Sequence, residues 1–385
     1  MTVVDLWEQA SRKGAPLVSP VDVRGLVEVT FVWRGEAEFT EVGWAERHVL
    51  QREPGTDVWH VTVRLPANVR TVYYFSHLAP GTWRPPRTNG PEGDTHLDPL
   101  NAEQVYFPAN PSDPSDHDGW ASLLTLPHAA PESWSLPQPG VPQGTTEPAT
   151  LDGGRVAVYR PAGDRSAGLP AIVILDGYLG RTMMRMPTTL DNLIAAGRIP
   201  PLVAIFVDGG DATRAADLSP TSGWLSAFIE RELMPWARRK HGISPYAHDI
   251  AIAGCSFGGL AAAGLALRAP HVFGAVISHS GSFWWPARAE DAPASGESEP
   301  EWLTREVLRG PRRDVRFYLD VGDRETAVFT EGTPDQRSVN RRFRDALRAK
   351  GYPVTYAEYA GDHDYLNWRN TFADGLIAIY GGRQV

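Results

Sequence analysis

Cysteine is almost missing from this chain: Cys255 is the single one in 385 residues. An intrachain disulfide is therefore excluded, and nothing in the sequence calls for an oxidising compartment. Lysine is nearly as scarce, with only Lys13, Lys240 and Lys350, so the positive charge rests on arginine. Because the shortage runs through the whole chain, it reads as coding bias more than as a binding device. The formal net charge is -9, which leaves no broadly basic surface to displace counterions from a nucleic acid. No apolar run approaches the length of a membrane span. Met1 to Ser19 mixes Asp5, Glu8, Arg12 and Lys13 with apolar residues and lacks the continuous apolar core of a secretory signal. The expectation is a cytoplasmic protein with neither a nucleic-acid nor a membrane partner.

What is present suggests two domains, since 385 residues exceed one ordinary core. Val27–Trp33, Trp59–Leu65 and Thr71–Phe75 alternate or cluster β-favouring residues, and Pro54-Gly55-Thr56-Asp57 reads as a hairpin turn. With no strong helix in view, residues 1–125 are expected to form a small immunoglobulin-like β-sandwich. Residues 108–118 and Pro127–Pro148 are rich in turn formers, so 126–149 is taken as a linker. From Thr150 to Val385 the rhythm changes to strands alternating with helices. Arg155–Tyr159, Ala171–Leu175, Leu202–Val207, Ile250–Ala253, Ala275–His279, Val315–Val321 and Val354–Tyr359 read as strands. Leu190–Ala196, Trp224–Lys240, Gly259–Arg268 and Asp335–Lys350 read as helices. Several strands are wholly apolar, as in a parallel sheet covered on both faces. The fold class is α/β, an α/β-hydrolase catalytic domain behind a β-sandwich.

The chemistry is written in Gly254-Cys255-Ser256-Phe257-Gly258, a G-x-S-x-G pentapeptide between a strand and a helix. That setting is a nucleophile elbow, with Ser256 as nucleophile. The Phe257 N–H, and the Gly177–Tyr178 backbone after the strand ending at Leu175, are candidate oxyanion donors. A nucleophilic serine needs a histidine base and usually an orienting acid, in this fold in the order Ser, acid, His. His363, on a turn after the last strand, fits the base; His271 and His279 lie elsewhere in the rhythm. The acid loop Gly322-Asp323-Arg324-Glu325 offers two carboxylates, Glu325 favoured and Asp323 second. Cys255 is expected to be buried and inert.

Further segments resemble the enterochelin esterases. Ser278-His279-Ser280-Gly281-Ser282-Phe283-Trp284-Trp285-Pro286 follows the elbow at that family's spacing, and Gly361-Asp362-His363-Asp364 through Trp368-Arg369 is similar to its histidine loop. Asp208 through Thr213-Arg214 to Asp217-Leu218, Leu175-Asp176-Gly177, and Asp98-Pro99-Leu100-Asn101 in the first domain also match its pattern. Cys255 stands where the family usually has Gln, and the loop from Ala287 to Glu301 is long and acidic. The resemblance implies hydrolysis of the trilactone backbone of a ferric catecholate siderophore such as enterobactin. It implies no cofactor and no resident metal, iron arriving with the substrate. So anionic and aromatic a ligand asks for cations and rings; Arg214, Trp284, Trp285, Arg181, Arg185 and Arg369 are the candidates. The competing reading is a general carboxylic ester hydrolase of the same fold, feruloyl-type or short-chain, with Trp33, Trp44 or Trp59 holding a carbohydrate.

Overall fold

The computed structural model describes residues 3–44, 46–77, 95–111, 116–152, 154–163, 166–209, 214–220, 223–286, 300–328 and 334–382. Thr213 and residues 287–299 of the long acidic loop lie outside the described residues. The chain divides into two compact units, residues 1–131 with 360–367 and residues 132–359 with 368–385.

The first unit opens with helix α1 (Val3–Lys13) and continues through short strands. β1 (Leu17–Val18), β2 (Leu26–Arg34), β5 (Gln51–Arg52) and β6 (Val58–Pro66) make one antiparallel sheet, ordered β1-β2-β6-β5. β3 (Glu41–Gly43), β4 (Arg47–Val49), β7 (Arg70–Ser76), β9 (Gln104–Phe107) and β10 (Gly119–Thr125) make the other, with β8 (Thr95–His96) paired to β7. One hydrophobic core draws on both sheets: Val27, Val29, Phe31 and Leu65 from the first, Val42, Tyr73, Phe75 and Leu124 from the second. That is the expected sandwich, and the Pro54–Asp57 turn joins β5 to β6 as expected. The sequence reading missed α1, an eleven-residue helix whose Leu6 and Ala10 fall one turn apart on one face, Ala10 fully buried.

The second unit is built on one eight-stranded sheet. Its strands are β11 (Thr145–Leu151), β12 (Gly154–Arg160), β13 (Ala171–Ile174), β14 (Val203–Asp208), β15 (Ile250–Cys255), β16 (Ala275–His279), β17 (Arg316–Gly322) and β18 (Val354–Tyr359). They are ordered β11-β12-β14-β13-β15-β16-β17-β18, and every pair from β14 to β18 is parallel. This is the α/β-hydrolase order. The crossover helices are α2 (Gly177–Arg181), α3 (Met186–Ala195), α4 (Arg214–Asp217), α5 (Gly223–Ala227), α6 (Met234–His241), α7 (Phe257–Arg268), α8 (Trp302–Arg309) and α9 (Gln336–Ala349). Helix α10 (Tyr365–Tyr380) closes the chain, its residues from Trp368 onward belonging to this unit. The central strands are buried along their whole length, as their apolar composition requires. Among the described residues no helix is long and apolar enough to cross a membrane.

Two departures from the sequence reading have simple causes. The last five residues of the segment taken as linker, 145–149, belong to β11, which pairs with β12 along seven residues, and the division between units falls after Pro131. β11 is an edge strand, where Pro148 removes no ladder hydrogen bond that a neighbour needs. Pro148 therefore imitated a connector. The single helix expected over Trp224–Lys240 runs as α5, a π turn at Phe228–Leu233, and α6. Pro235 lacks the N–H that would complete the regular ladder, and the wider turn absorbs that loss.

Candidate active site

Ser256 sits between the end of β15 and the first turn of α7, with φ +55° and ψ -119°. A non-glycine residue rarely holds a positive φ, and here three backbone hydrogen bonds impose it. Its N–H donates to the His279 carbonyl (2.8 Å), and its carbonyl accepts from the N–H groups of Ser282 (3.0 Å) and Leu260 (3.1 Å). The glycines make the reversal possible. A Cβ on Gly254 would lie 2.3 Å from the Gly258 carbonyl carbon and 2.4 Å from its oxygen, backbone atoms that cannot turn aside. Gly254→Ala is therefore expected to destabilise the protein by about 3 kcal/mol or more. Denaturant unfolding tests this; a midpoint equal to wild type would show that the elbow relaxes.

The Ser256 hydroxyl lies 3.1 Å from that of Ser282. Next door, Cys255 is buried, and burial pushes its thiol far up, with the Asp176 and Asp320 carboxylates adding to the effect. A thiol held neutral is a poor nucleophile, which fits the expectation of an inert Cys255.

The register places the oxyanion candidates beside the elbow. Ile174 on β13 pairs with Ala253 on β15, and the Leu175 N–H donates to the Ala253 carbonyl (2.9 Å). Asp176 then caps α2 at φ +55°, so Gly177 and Tyr178 begin that helix as Phe257 begins α7. N–H groups in a first helical turn have no intrahelical acceptor and carry the positive end of the dipole. Gly177 presses on β14 so closely that a Cβ would lie 2.7 Å from Phe206 and Val207 backbone atoms.

Of the two candidate acids, Glu325 is the more enclosed. It is 3% exposed, and its Oε1 accepts from the Ser280 hydroxyl (2.5 Å), the Gly322 N–H (2.7 Å) and the Tyr359 hydroxyl (3.1 Å). Ser280, itself at φ +46°, accepts the indole N–H of Trp368 (2.9 Å). An indole only donates, so the Ser280 proton is directed at Glu325. Asp323 is less enclosed; its backbone N–H donates to Tyr359 (2.8 Å) and its carbonyl accepts from Arg337 (2.6 Å). The sequence reading had not singled out Ser280, Tyr359 or Trp368 for this role, although all three lie in segments it quoted.

His279 and Asp320 form a separate pair. Both are fully buried, His279 Nδ1 lying 2.8 Å from Asp320 Oδ2 and 3.2 Å from Thr371 Oγ1. That imidazole is committed to the core behind the sheet edge. His271 is exposed and lies 3.5 Å from Glu230.

His363 is half-buried in the 360–367 segment, which groups with the first unit. Beside it, burial pushes the Asp364 carboxyl up to about 7, against the opposing hydrogen bond from the Asn367 N–H and with the Asp362 charge adding to the rise. A carboxyl raised in the folded state stabilises the fold fully below its unfolded value of 3.8, and that contribution is lost as pH rises through about 7. Asp364→Asn should flatten the decline of melting temperature between about pH 5 and pH 8. A slope equal to wild type would mean that this carboxyl does not titrate there.

Most of the expected substrate contacts are corrected by the structure. Trp284 and Trp285 are 7% and 3% exposed and belong to the hydrophobic core. Trp284 meets Phe257 edge-on and donates to Gln336, while Trp285 meets Trp302 edge-on. The run of rings after β16 is packing material. Arg214 binds Asp176 bidentately (2.6 and 2.7 Å), Arg181 binds Asp208 (2.6 Å), and buried Arg369 binds Glu132 and the Met183 carbonyl. Their charges are matched within the protein. Arg185, at the N-terminus of α3, is the one of the four that stays exposed. Among the described residues no group of three or more His, Cys, Asp or Glu could hold a metal ion.

Strand order and elbow together define a serine hydrolase of the α/β-hydrolase class. Residues 152–379 match the family model described as "Putative esterase", and residues 28–135 match "Enterochelin esterase, N-terminal". The iron(III) enterobactin esterase of Dickeya dadantii is 30% identical, the match covering 98% of this chain and 92% of that one. The iron(III) salmochelin esterase of Escherichia coli is 28% identical, over 98% and 94%. The crystal structure of the Shigella flexneri enterobactin esterase in the presence of enterobactin superposes with a TM-score of 0.70 at 25% identity, covering 97% of each chain. The chain belongs to the enterochelin esterase family.

Proposed function

We propose that this esterase hydrolyses the ester backbone of a ferric catecholate siderophore of the enterobactin type, releasing iron in the cytoplasm. The observation that carries the chemistry is Ser256 at positive φ on the β15–α7 turn. The substrate class rests on the named relatives, which align along nearly the whole chain.

Ser256 Oγ attacks the ester carbonyl while His363 takes its proton; Glu325 orients the imidazole. The Phe257 and Gly177–Tyr178 N–H groups receive the oxyanion, each donor contributing about 3 kcal/mol to the transition state. The protonated His363 returns its proton to the departing serine alkoxide. Water, activated by the same imidazole, then clears the acyl-enzyme. The chemistry needs no cofactor, since iron is carried by the substrate. Neither nucleic acid nor membrane is a partner in this reading. With Trp284 and Trp285 in the core, Arg185 is the remaining candidate of the original set for an anionic substrate.

The test is chromatographic product analysis of ferric and iron-free enterobactin incubated with wild type and Ser256→Ala. Serine-dependent release of linear trimer, dimer and monomer supports the proposal. Turnover of a simple aryl ester with neither siderophore form cleaved would move the protein to the general-esterase reading.

A further inference from the structure

The segment that carries His363 is held by two side chains from the N-terminal part of the chain, one at the histidine's own carbonyl and one at the next residue. The indole Nε1 of Trp44, just beyond β3, donates to the His363 carbonyl (3.0 Å). The hydroxyl of Thr71, on β7, donates to Asp364 Oδ2 (3.0 Å), and both residues are buried. The other oxygen of the same carboxylate, Oδ1, accepts from the Asn367 N–H (3.0 Å), three residues on, in the pattern of a helix N-cap for α10. The Asn367 side chain reaches back to the Asp362 carbonyl (3.1 Å), and the rings of Phe107 and Tyr365 meet at 6.1 Å. Trp44 is steadied in turn by Tyr74, the two ring centroids 5.7 Å apart.

We infer that Trp44 and Thr71 are positioning residues for His363. The inference rests on His363 being the general base of the proposed function. An indole N–H on the residue's own carbonyl fixes the peptide plane after His363. The Thr71 hydroxyl fixes the carboxylate one residue further along. Together they leave the imidazole little freedom beyond its own χ angles. Reacting groups displaced by about 1 Å lose about a hundredfold in rate, so a loosened loop is felt in the chemical step. Residues that only gripped the siderophore would matter for large substrates alone.

The experiment compares Trp44→Phe, Thr71→Val, Thr71→Ser and His363→Ala on a p-nitrophenyl ester, too small to depend on siderophore recognition. Thr62→Val, at the exposed Thr30–Thr62 pair in the same unit, controls for general loosening. Trp44→Phe keeps the ring and removes the donor. It and Thr71→Val are expected to lower kcat about tenfold to hundredfold with KM within about twofold. Thr71→Ser, which restores the hydroxyl, and Thr62→Val should stay near wild type. Melting curves identify any variant that has not folded, and the Thr71 pair carries the test if Trp44→Phe is one. Wild-type kcat in Trp44→Phe and Thr71→Val beside an inactive His363→Ala would overturn the positioning role and leave the triad reading standing. An active His363→Ala would instead overturn the triad reading, and this inference with it.

Discussion

Ser256→Ala is expected to lower kcat by about five to six orders of magnitude while the substrate still binds. Only the hydroxyl is lost, and alanine can still donate its N–H to the His279 carbonyl and accept from the Ser282 and Leu260 N–H groups, so the elbow keeps its shape. What remains is oxyanion stabilisation and binding, which in hydrolases of this kind leave a small rate above water. Cys255 cannot take over, because burial keeps its thiol protonated and it lies one residue off the turn. Stopped-flow measurement of acyl-enzyme formation, with fluorophosphonate labelling of the wild type as control, checks the loss. Residual turnover above about one per cent of wild type would remove Ser256 from the nucleophile role.

Glu325→Gln should be the second most damaging change, lowering kcat by about two to four orders of magnitude. The Ser280, Gly322 and Tyr359 donors all converge on Oε1, an oxygen that glutamine retains, so the loop should fold as before. What the amide loses is the negative charge that favours the protonated imidazole. Glu325→Ala differs in kind: it strands three donors in a buried site and is expected to cost about 3 kcal/mol of stability as well. Asp323→Asn, in the less enclosed part of the loop, should change kcat by less than about threefold. A large loss in Asp323→Asn beside a mild Glu325→Gln would reverse the assignment. Steady-state kinetics on one aryl ester decides between them.

Several structural features that bear on these outcomes were written locally. The G-x-S-x-G pentapeptide between an apolar strand and a small-residue helix permits few other geometries, because Gly254 and Gly258 approach within a distance no Cβ allows. The strands from β13 to β17 could be read from runs of largely apolar residues, since burial on both faces imposes that composition. The acid loop and the histidine segment followed from their places in the order of strands.

Residue fates set by distant partners were not legible. Arg214 looked like a substrate cation until Asp176, 38 residues away, was found to hold it; Glu132, 237 residues away, holds Arg369. Trp284 and Trp285 carried the same aromatic signal whether they lined a wall or filled a core, and packing against Phe257 and Trp302 decided it. β11 hid behind Pro148 because an edge strand tolerates what a central strand cannot. By itself, then, the sequence determined most of the sheet and the elbow that presents Ser256, because these rest on steric limits and burial that act within a few residues. Only the tertiary structure decided how Glu325 is held, which arginines are neutralised, and that Trp44 and Thr71 hold the His363 carbonyl and Asp364. Those outcomes depend on which donor and acceptor meet after folding, and spacing along the chain does not record that.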